Sequence, residues 1–315
     1  MSNMSNVGVF FLSGFSVTVH HKAVLFCLTL LCYLLIIMVN MCLIVTITLD
    51  KSLHEPMYIL LCNLCINALY GTAGFYPKFA FDLLSDTPII SYVGCFVQYF
   101  IIYSYAIIDF SVLVVMAYDR YVAICRPLQY GALMSVQRTS ILVALCWCVP
   151  LCVELCVVTL TSSLTLCGAH IDKLYCENWA VVKLACGSTT LNNIVGLIAI
   201  SFYLGHILFI VCSYVPLVKS ALKCTETRRK FTQTCVPHLL CLLNVTAALL
   251  FDHMYSRYGS TFVSQNVKNL MAVQFIVFPP VLNPIIYGLI LKKIRHRVLT
   301  WLRTTHQRFK LTLKV

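Results

Sequence analysis

Met116-Ala117-Tyr118-Asp119-Arg120-Tyr121-Val122-Ala123-Ile124-Cys125-Arg126-Pro127-Leu128 puts an adjacent acid and base at the end of a long apolar run. Upstream of it, Thr87–Ile108 carries no Asp, Glu, Lys or Arg, and Asp109 is the one charge between that window and Asp119. Working outward, the same kind of window recurs at Ala23–Leu49, Pro56–Pro77, Thr139–Val153, Leu184–Val218, Phe231–Phe251 and Asn269–Leu291. A helix crosses the hydrocarbon of a bilayer with about 20 apolar residues. Six windows reach that length, and Thr139–Val153 reaches it by continuing past Glu154 towards Leu160. Lipid offers no partner to free backbone groups, so spans are helices or closed-barrel strands, and barrel strands are about 10 residues of alternating polarity. The windows therefore predict an all-α membrane protein, a seven-transmembrane helix bundle.

Composition agrees. Of 315 residues, 60% are hydrophobic and 11% charged, against roughly 45–50% and 25% in soluble domains. That leaves too little charge to cover a soluble particle, which excludes a cytosolic enzyme, a disordered chain and a nucleic-acid-binding domain. The net charge of +12 follows topology. Numbered from the N-terminus, alternate connections hold Lys51, then Arg120, Arg126 and Arg138, then the Lys219–Lys230 group, then the tail from Lys292; together these are 17 of the 23 basic residues. Positive charge stays cytoplasmic, so the N-terminus is expected outside and the C-terminus inside, with the basic face towards anionic lipid. The expected organisation is an outer tail over 1–22, a membrane domain over 23–303 and an inner tail over 304–315.

No basic stretch precedes the apolar Val7–Phe15 segment, so it does not read as a cleaved signal, and the first helix is expected to act as an uncleaved signal-anchor. Asn3-Met4-Ser5 fits the glycosylation pattern on the outer side. Asn244-Val245-Thr246 fits too, but lies inside the sixth helix. Most of the 18 cysteines fall in helices and read as small apolar residues. No pair of Cys-x-x-Cys units has zinc spacing, so no metal and no cofactor is expected there. Cys95, Cys167, Cys176 and Cys186 lie on the oxidising outer side. Four cysteines allow three pairings, and spacing does not choose among them.

The Met116–Leu128 run resembles the odorant-receptor branch of the rhodopsin-like G-protein-coupled receptors. Further stretches match in order: Pro56-Met57-Tyr58, Lys183-Leu184-Ala185-Cys186, Ser213-Tyr214, then Lys230 with Thr234-Cys235 and His238, and Pro280-Val281-Leu282-Asn283-Pro284-Ile285-Ile286-Tyr287. The resemblance spans roughly Ala23 to Arg303. Met254-Tyr255-Ser256-Arg257-Tyr258-Gly259 resembles the fish-type branch more than the expanded mammalian one. The resemblance implies a plasma-membrane receptor that binds a small odorant within the bundle and activates a heterotrimeric G protein, raising cyclic AMP. It also implies a main Cys95–Cys176 bridge tying the third helix to the second outer loop, and a second bridge Cys167–Cys186.

The residues themselves suggest roles. Asp119-Arg120-Tyr121 is either a positive-inside anchor or a lock: Arg120 rests on Asp119 and is freed towards a G protein when the helices part, the bistable element that switching needs. Asn283-Pro284 interrupts the seventh helix, because Pro removes a backbone donor. The exposed carbonyl needs Asn283 or water, and Tyr287 can swing about the kink; a purely structural kink is the alternative. Asp109 lies mid-membrane, where an acid is costly and functional by default. In many rhodopsin-like receptors a sodium-binding Asp sits on the second helix; here that position reads as Ala68, with Asn67 beside it. A sodium ion or a proton at Asp109 is therefore expected, with Asn40 and Asn283 as neighbours, against the alternative of a protonated acid bonded to another helix.

A pocket is expected on the third-helix face Tyr99, Ile102, Tyr103 and Ala106, with Tyr203 on the fifth helix and Asn244 and Ala248 on the sixth. Amine receptors of the wider family carry an acid where Ile102 stands, so a small neutral ligand is expected. The competing ligand is a charged odorant gripped at the mouth by Asp252 or Arg257, beside His253; plain packing of the aromatics is the third reading. Glu154 is expected to snorkel or sit at the lipid edge. Leu291–Arg303 alternates basic and apolar residues and reads as a short amphipathic helix on the inner leaflet; it has no cysteine for palmitate. The alternative function is a transporter or channel for a small solute, disfavoured because no inverted repeat is visible and Asp109 alone sits at the midplane. An embedded enzyme lacks a nucleophile–base pair.

Overall fold

The computed structural model describes residues 8–13, 19–223, 235–236, 238–247 and 265–300. Strand β1 (Val9–Leu12) precedes α1 (Val19–Leu49) and α2 (Pro56–Leu84). Strand β2 (Ile89–Ser91) then leads into α3 (Tyr92–Cys125), the short α4 (Tyr130–Leu133) and α5 (Val136–Ser162). Strand β3 (His170–Ile171) and the short α6 (Asn178–Val182) lie in the following loop, before α7 (Thr190–Lys223). The last helices are α8 (His238–Ala247), α9 (Gln265–Ile290) and α10, residues 292–300. Among the described residues six helices, α1, α2, α3, α5, α7 and α9, are long and apolar enough to cross a membrane, and α8 is an apolar helix within the sixth window. The chain is a seven-helix membrane bundle. The connections rich in Lys and Arg lie at one end of the bundle, the inner end, and strands β1–β3 at the other, the outer end.

Local sequence sets the helix starts. The Ser91 hydroxyl accepts from the Gly94 amide at 3.1 Å and opens α3, and Ser135 does the same for α5 through Arg138 at 3.3 Å, each occupying a donor the first turn leaves free. Pro56 sits in the first turn of α2, where its missing N–H costs nothing. Helix α5 exposes Ile141, Leu145, Val149 and Val153 at four-residue spacing. A water-soluble helix would carry polar residues on that face; an apolar face suits lipid.

Helix α3 is the hub, packed against α2, α5 and α7, while α1 packs against α2 and α9. The close approach of α2 to α3 depends on Gly71: a Cβ there would collide with the Tyr105 ring. At the outer end β1 is the middle strand of a small sheet, antiparallel to β2 with Phe10 opposite Ile90, and parallel to β3 with Leu12 opposite Ile171. The alternation in Val9–Leu12 buries Phe10 and Leu12 and exposes Val9 and Phe11, the period-two pattern of a strand with one face covered. The apolar run read in the outer tail is thus a strand that covers the bundle. At the inner end Leu291 and Ile294 are buried while Lys292, Lys293, Arg295 and Arg297 are exposed, so α10 has the amphipathic character expected of it.

Candidate functional site

The outer loop is fixed before it can form a wall. Cys95 is joined to Cys176 and Cys167 to Cys186. The Cys176 amide also donates to the Gln98 side-chain oxygen at 3.0 Å, and Gln98 in turn donates to the Gly74 carbonyl at 3.2 Å. Backbone bonds Cys167 to Leu184 (2.8 Å) and Cys186 to Thr165 (2.9 Å) flank the second bridge. The Thr161 hydroxyl donates to the Asn178 side-chain oxygen at 2.7 Å. The segment Glu177–Trp179 is thereby held over the bundle.

Beneath it lies a cavity of about 240 Å³ between α3, α5, α7 and that segment. This is below the roughly 300–1,000 Å³ of pockets for drug-sized ligands, so it suits a small molecule. Tyr99, Tyr103, Ile107 and Phe110 of α3 form one wall. Their spacing of four, four and three follows one face of a helix. Tyr99 and Tyr103 are thus where the sequence placed them. Ile102 and Ala106 are not: both are buried in the main core, outside the cavity lining. One residue step turns a helix by about 100°, and the cavity lies against α5 and α7, so the pocket face is the Tyr103 face. Asn244 on α8 is half-buried and does not line the cavity. The side chain of Tyr203, and Asn3, Ala248, Asp252, His253 and Met254–Gly259, lie outside the described residues.

Glu154 corrects the sequence expectation. It is 5% exposed and lines the cavity, rather than reaching lipid or the membrane edge. Tyr99 hydrogen-bonds its carboxylate, while Oε2 has no hydrogen-bond partner. The signal that could have located it is its spacing: Glu154 and Val157, three residues apart and so about one turn along α5, both line the cavity. Glu177 also reaches the cavity, but its carboxylate is 2.9 Å from the Lys173 ammonium. His206 lines the α7 wall, and its Nδ1 donates to the Phe202 carbonyl at 2.8 Å.

Asp109 lies deeper, 2% exposed, in a cluster with Asn40, Tyr105 and Asn283. Asn67 joins it, donating to the Tyr105 carbonyl at 2.9 Å and bonding the Asp109 carboxylate. The side-chain oxygens of Asn40, Asn67 and Asn283 and Oδ2 of Asp109 lack partners. An all-oxygen set of this kind suits a hard cation or a proton. The cluster is packed with no water-sized space between its members.

At the inner end Arg120 Nε donates to Asp119 Oδ2 at 2.8 Å, and a second guanidinium nitrogen bonds the same oxygen. The Tyr130 hydroxyl donates to the other oxygen, Oδ1, at 2.8 Å. Tyr130 was not singled out in the sequence, although it lies only eleven residues downstream. Burial, and then the Asp119 charge, push the Tyr130 phenol up, so it remains a donor. Tyr121, next in the triplet, is partly buried and stacks under the Arg126 guanidinium, 5.9 Å from its ring.

His238 links three helices. The Leu113 carbonyl can only accept, so Nε2 of His238 donates to it at 2.9 Å. Nδ1 of the neutral ring then accepts from the Tyr214 hydroxyl at 2.5 Å. Tyr287 is buried nearby with the Cys241 thiol beside its hydroxyl, a weak partner. Outside the spans, Lys293 Nζ lies 2.8 Å from Glu55 and Arg297 Nε 2.6 Å from Asp50. Hydrogen bonds from Ser52 hold the Asp50 carboxyl below its ordinary value, and the bond to Glu55 raises the Lys293 ammonium. These pairs fix α10 against the α1–α2 turn.

A family model described as "Olfactory receptor" matches residues 26–304. Olfactory receptor 10H28 of Mus musculus is 34% identical over 303 residues, spanning 94% of this chain and 95% of the relative. Olfactory receptor 10H4 of Homo sapiens is 34% identical over 302 residues, spanning 94% and 95%. Olfactory receptor 1D2 of Gorilla gorilla gorilla is 33% identical over 310 residues, spanning 96% and 97%.

Proposed function

Because this chain belongs to the olfactory receptor family, a family of receptors and not of enzymes, we propose that it binds a small odorant in the cavity beneath the second outer loop and activates a heterotrimeric G protein of the olfactory type, raising cyclic AMP. The division of α3 carries this reading. Its outer half walls the cavity through Tyr99 and Tyr103, and its inner end holds Arg120 on Asp119. One rigid helix thus touches both the ligand space and the charge that a G protein would meet. Ligand binding favours the helix arrangement in which Arg120 leaves Asp119 and Tyr130, a population shift set by the ligand's preference for that state. His238, Asn283, Pro284 and Tyr287 are the packing elements that change partners. The receptor sits in the plasma membrane with its N-terminus outside, its basic inner face against anionic lipid and Asn3 available for glycosylation.

Asp109 takes a proton in this arrangement. Its donor set would suit sodium, but a hydrated ion needs room that the cluster lacks, whereas a protonated carboxyl can donate to an amide oxygen of Asn40, Asn67 or Asn283. The test of the function is an odorant panel on cells expressing the chain with an olfactory-type G protein. A ligand-dependent rise in cyclic AMP that requires the G protein is expected. Solute flux that proceeds without one would assign the chain to the transporters instead.

A further inference from the structure

We propose that the cavity selects protonated aliphatic amines, with Glu154 as the residue that pairs the ammonium group. The proposal rests on the cavity being the ligand site and adds the chemical class of the ligand. A carboxylate removed from water is costly unless it is paired. Glu154 is 5% exposed, and its Oε2 has no hydrogen-bond partner. Tyr99 satisfies part of the carboxylate, which orients it without neutralising it. No cation forms an ion pair with Glu154 among the described residues, and the other acid at the cavity, Glu177, already has Lys173 at 2.9 Å. The cavity therefore carries one buried carboxyl oxygen without a partner, a place that an ammonium N–H can fill.

The remaining lining fits that charge. Tyr103 contributes an aromatic ring, which attracts cations through its face. Ile107, Val157 and Phe110 form an apolar floor for a hydrocarbon body. An aliphatic amine titrates near lysine, about 10.4, and arrives as the ammonium form at neutral pH. The acid thus stands on α5, and not on α3 at the position of Ile102.

The full chain in lipid nanodiscs is titrated with benzylamine and cyclohexylamine, and with benzyl alcohol and cyclohexanol as neutral counterparts of similar shape. Each amine is expected to bind at least about tenfold more tightly than its alcohol, about 1.4 kcal/mol. Glu154→Gln is expected to erase that ratio, and Glu154→Asp to retain part of it. Equal affinities, an amine preference that survives in Glu154→Gln, or no binding of either amine overturns the proposal. Should Glu154→Gln fail to fold, the amine-to-alcohol ratio of the unaltered chain decides. Cyclic AMP responses separate this proposal from the receptor reading. Neutral odorants that signal while amines do not leave the receptor reading intact and remove the amine. Glu154-dependent amine binding with no G-protein-dependent response to any odorant does the reverse.

Discussion

The Asn40 side-chain nitrogen donates to the Pro280 carbonyl oxygen at 2.8 Å, and that carbonyl is the one Pro284 leaves without a helical donor four residues on. The same nitrogen also donates to the Ile36 carbonyl at 2.9 Å. The carbonyl that Pro284 frees in α9 is therefore bound from α1, and not by the neighbouring Asn283.

Asn40→Ala leaves the Pro280 carbonyl buried and unsatisfied. A loss of about 1–3 kcal/mol is expected, read as a lower thermal midpoint of the purified chain in nanodiscs. An unchanged midpoint would show that the kink does not depend on α1.

Arg120→Ala is expected to abolish G-protein-dependent cyclic AMP while leaving surface staining and odorant binding largely intact. Tyr130→Phe removes one of the bonds that hold Asp119 and is expected to raise ligand-independent signalling. Normal signalling by Arg120→Ala reduces Arg120 to a membrane anchor; a silent Tyr130→Phe removes Tyr130 from the lock.

Non-reduced peptide mapping should recover Cys95 joined to Cys176 and Cys167 joined to Cys186. Replacing Cys95 and Cys176 together by Ser is expected to cost about 2–5 kcal/mol and to lower odorant potency, since the cavity roof loses its tie to α3. A free thiol at Cys95 in the mature protein contradicts the pairing.

Proton occupancy at Asp109 predicts equal thermal midpoints in sodium chloride and in choline chloride at the same ionic strength. Asp109→Asn, which mimics the protonated acid, should leave the midpoint unchanged or raise it. A sodium-dependent rise that disappears in Asp109→Asn would assign the site to the cation.

Much of the architecture is local and therefore legible from sequence. Seven apolar windows, the Ser caps of α3 and α5, the amphipathic residues 292–300 and the Asp119-Arg120 pair are properties of short stretches, set by hydrophobic length, capping chemistry and adjacency. The four outer cysteines were legible as a set; their pairing came from the family resemblance and not from spacing, because pairing depends on where the loop returns across α3. The rotational phase of each helix was also undetermined. All of α3 is apolar enough to be buried, so composition cannot say whether Ile102 or Tyr103 turns towards the cavity; the neighbours α5 and α7 decide it. Glu154 looked like an edge residue because a lone acid in a span is cheapest there, yet the packing of α5 against the outer loop buries it in the cavity wall. Asn40 with Pro280, Tyr130 with Asp119 and His238 with Leu113 and Tyr214 are contacts between separate elements. A sequence fixes which groups need partners, since buried polar atoms must be satisfied. Only the three-dimensional packing of distant helices determines which partner each one finds, and at Glu154 it leaves one oxygen for a ligand.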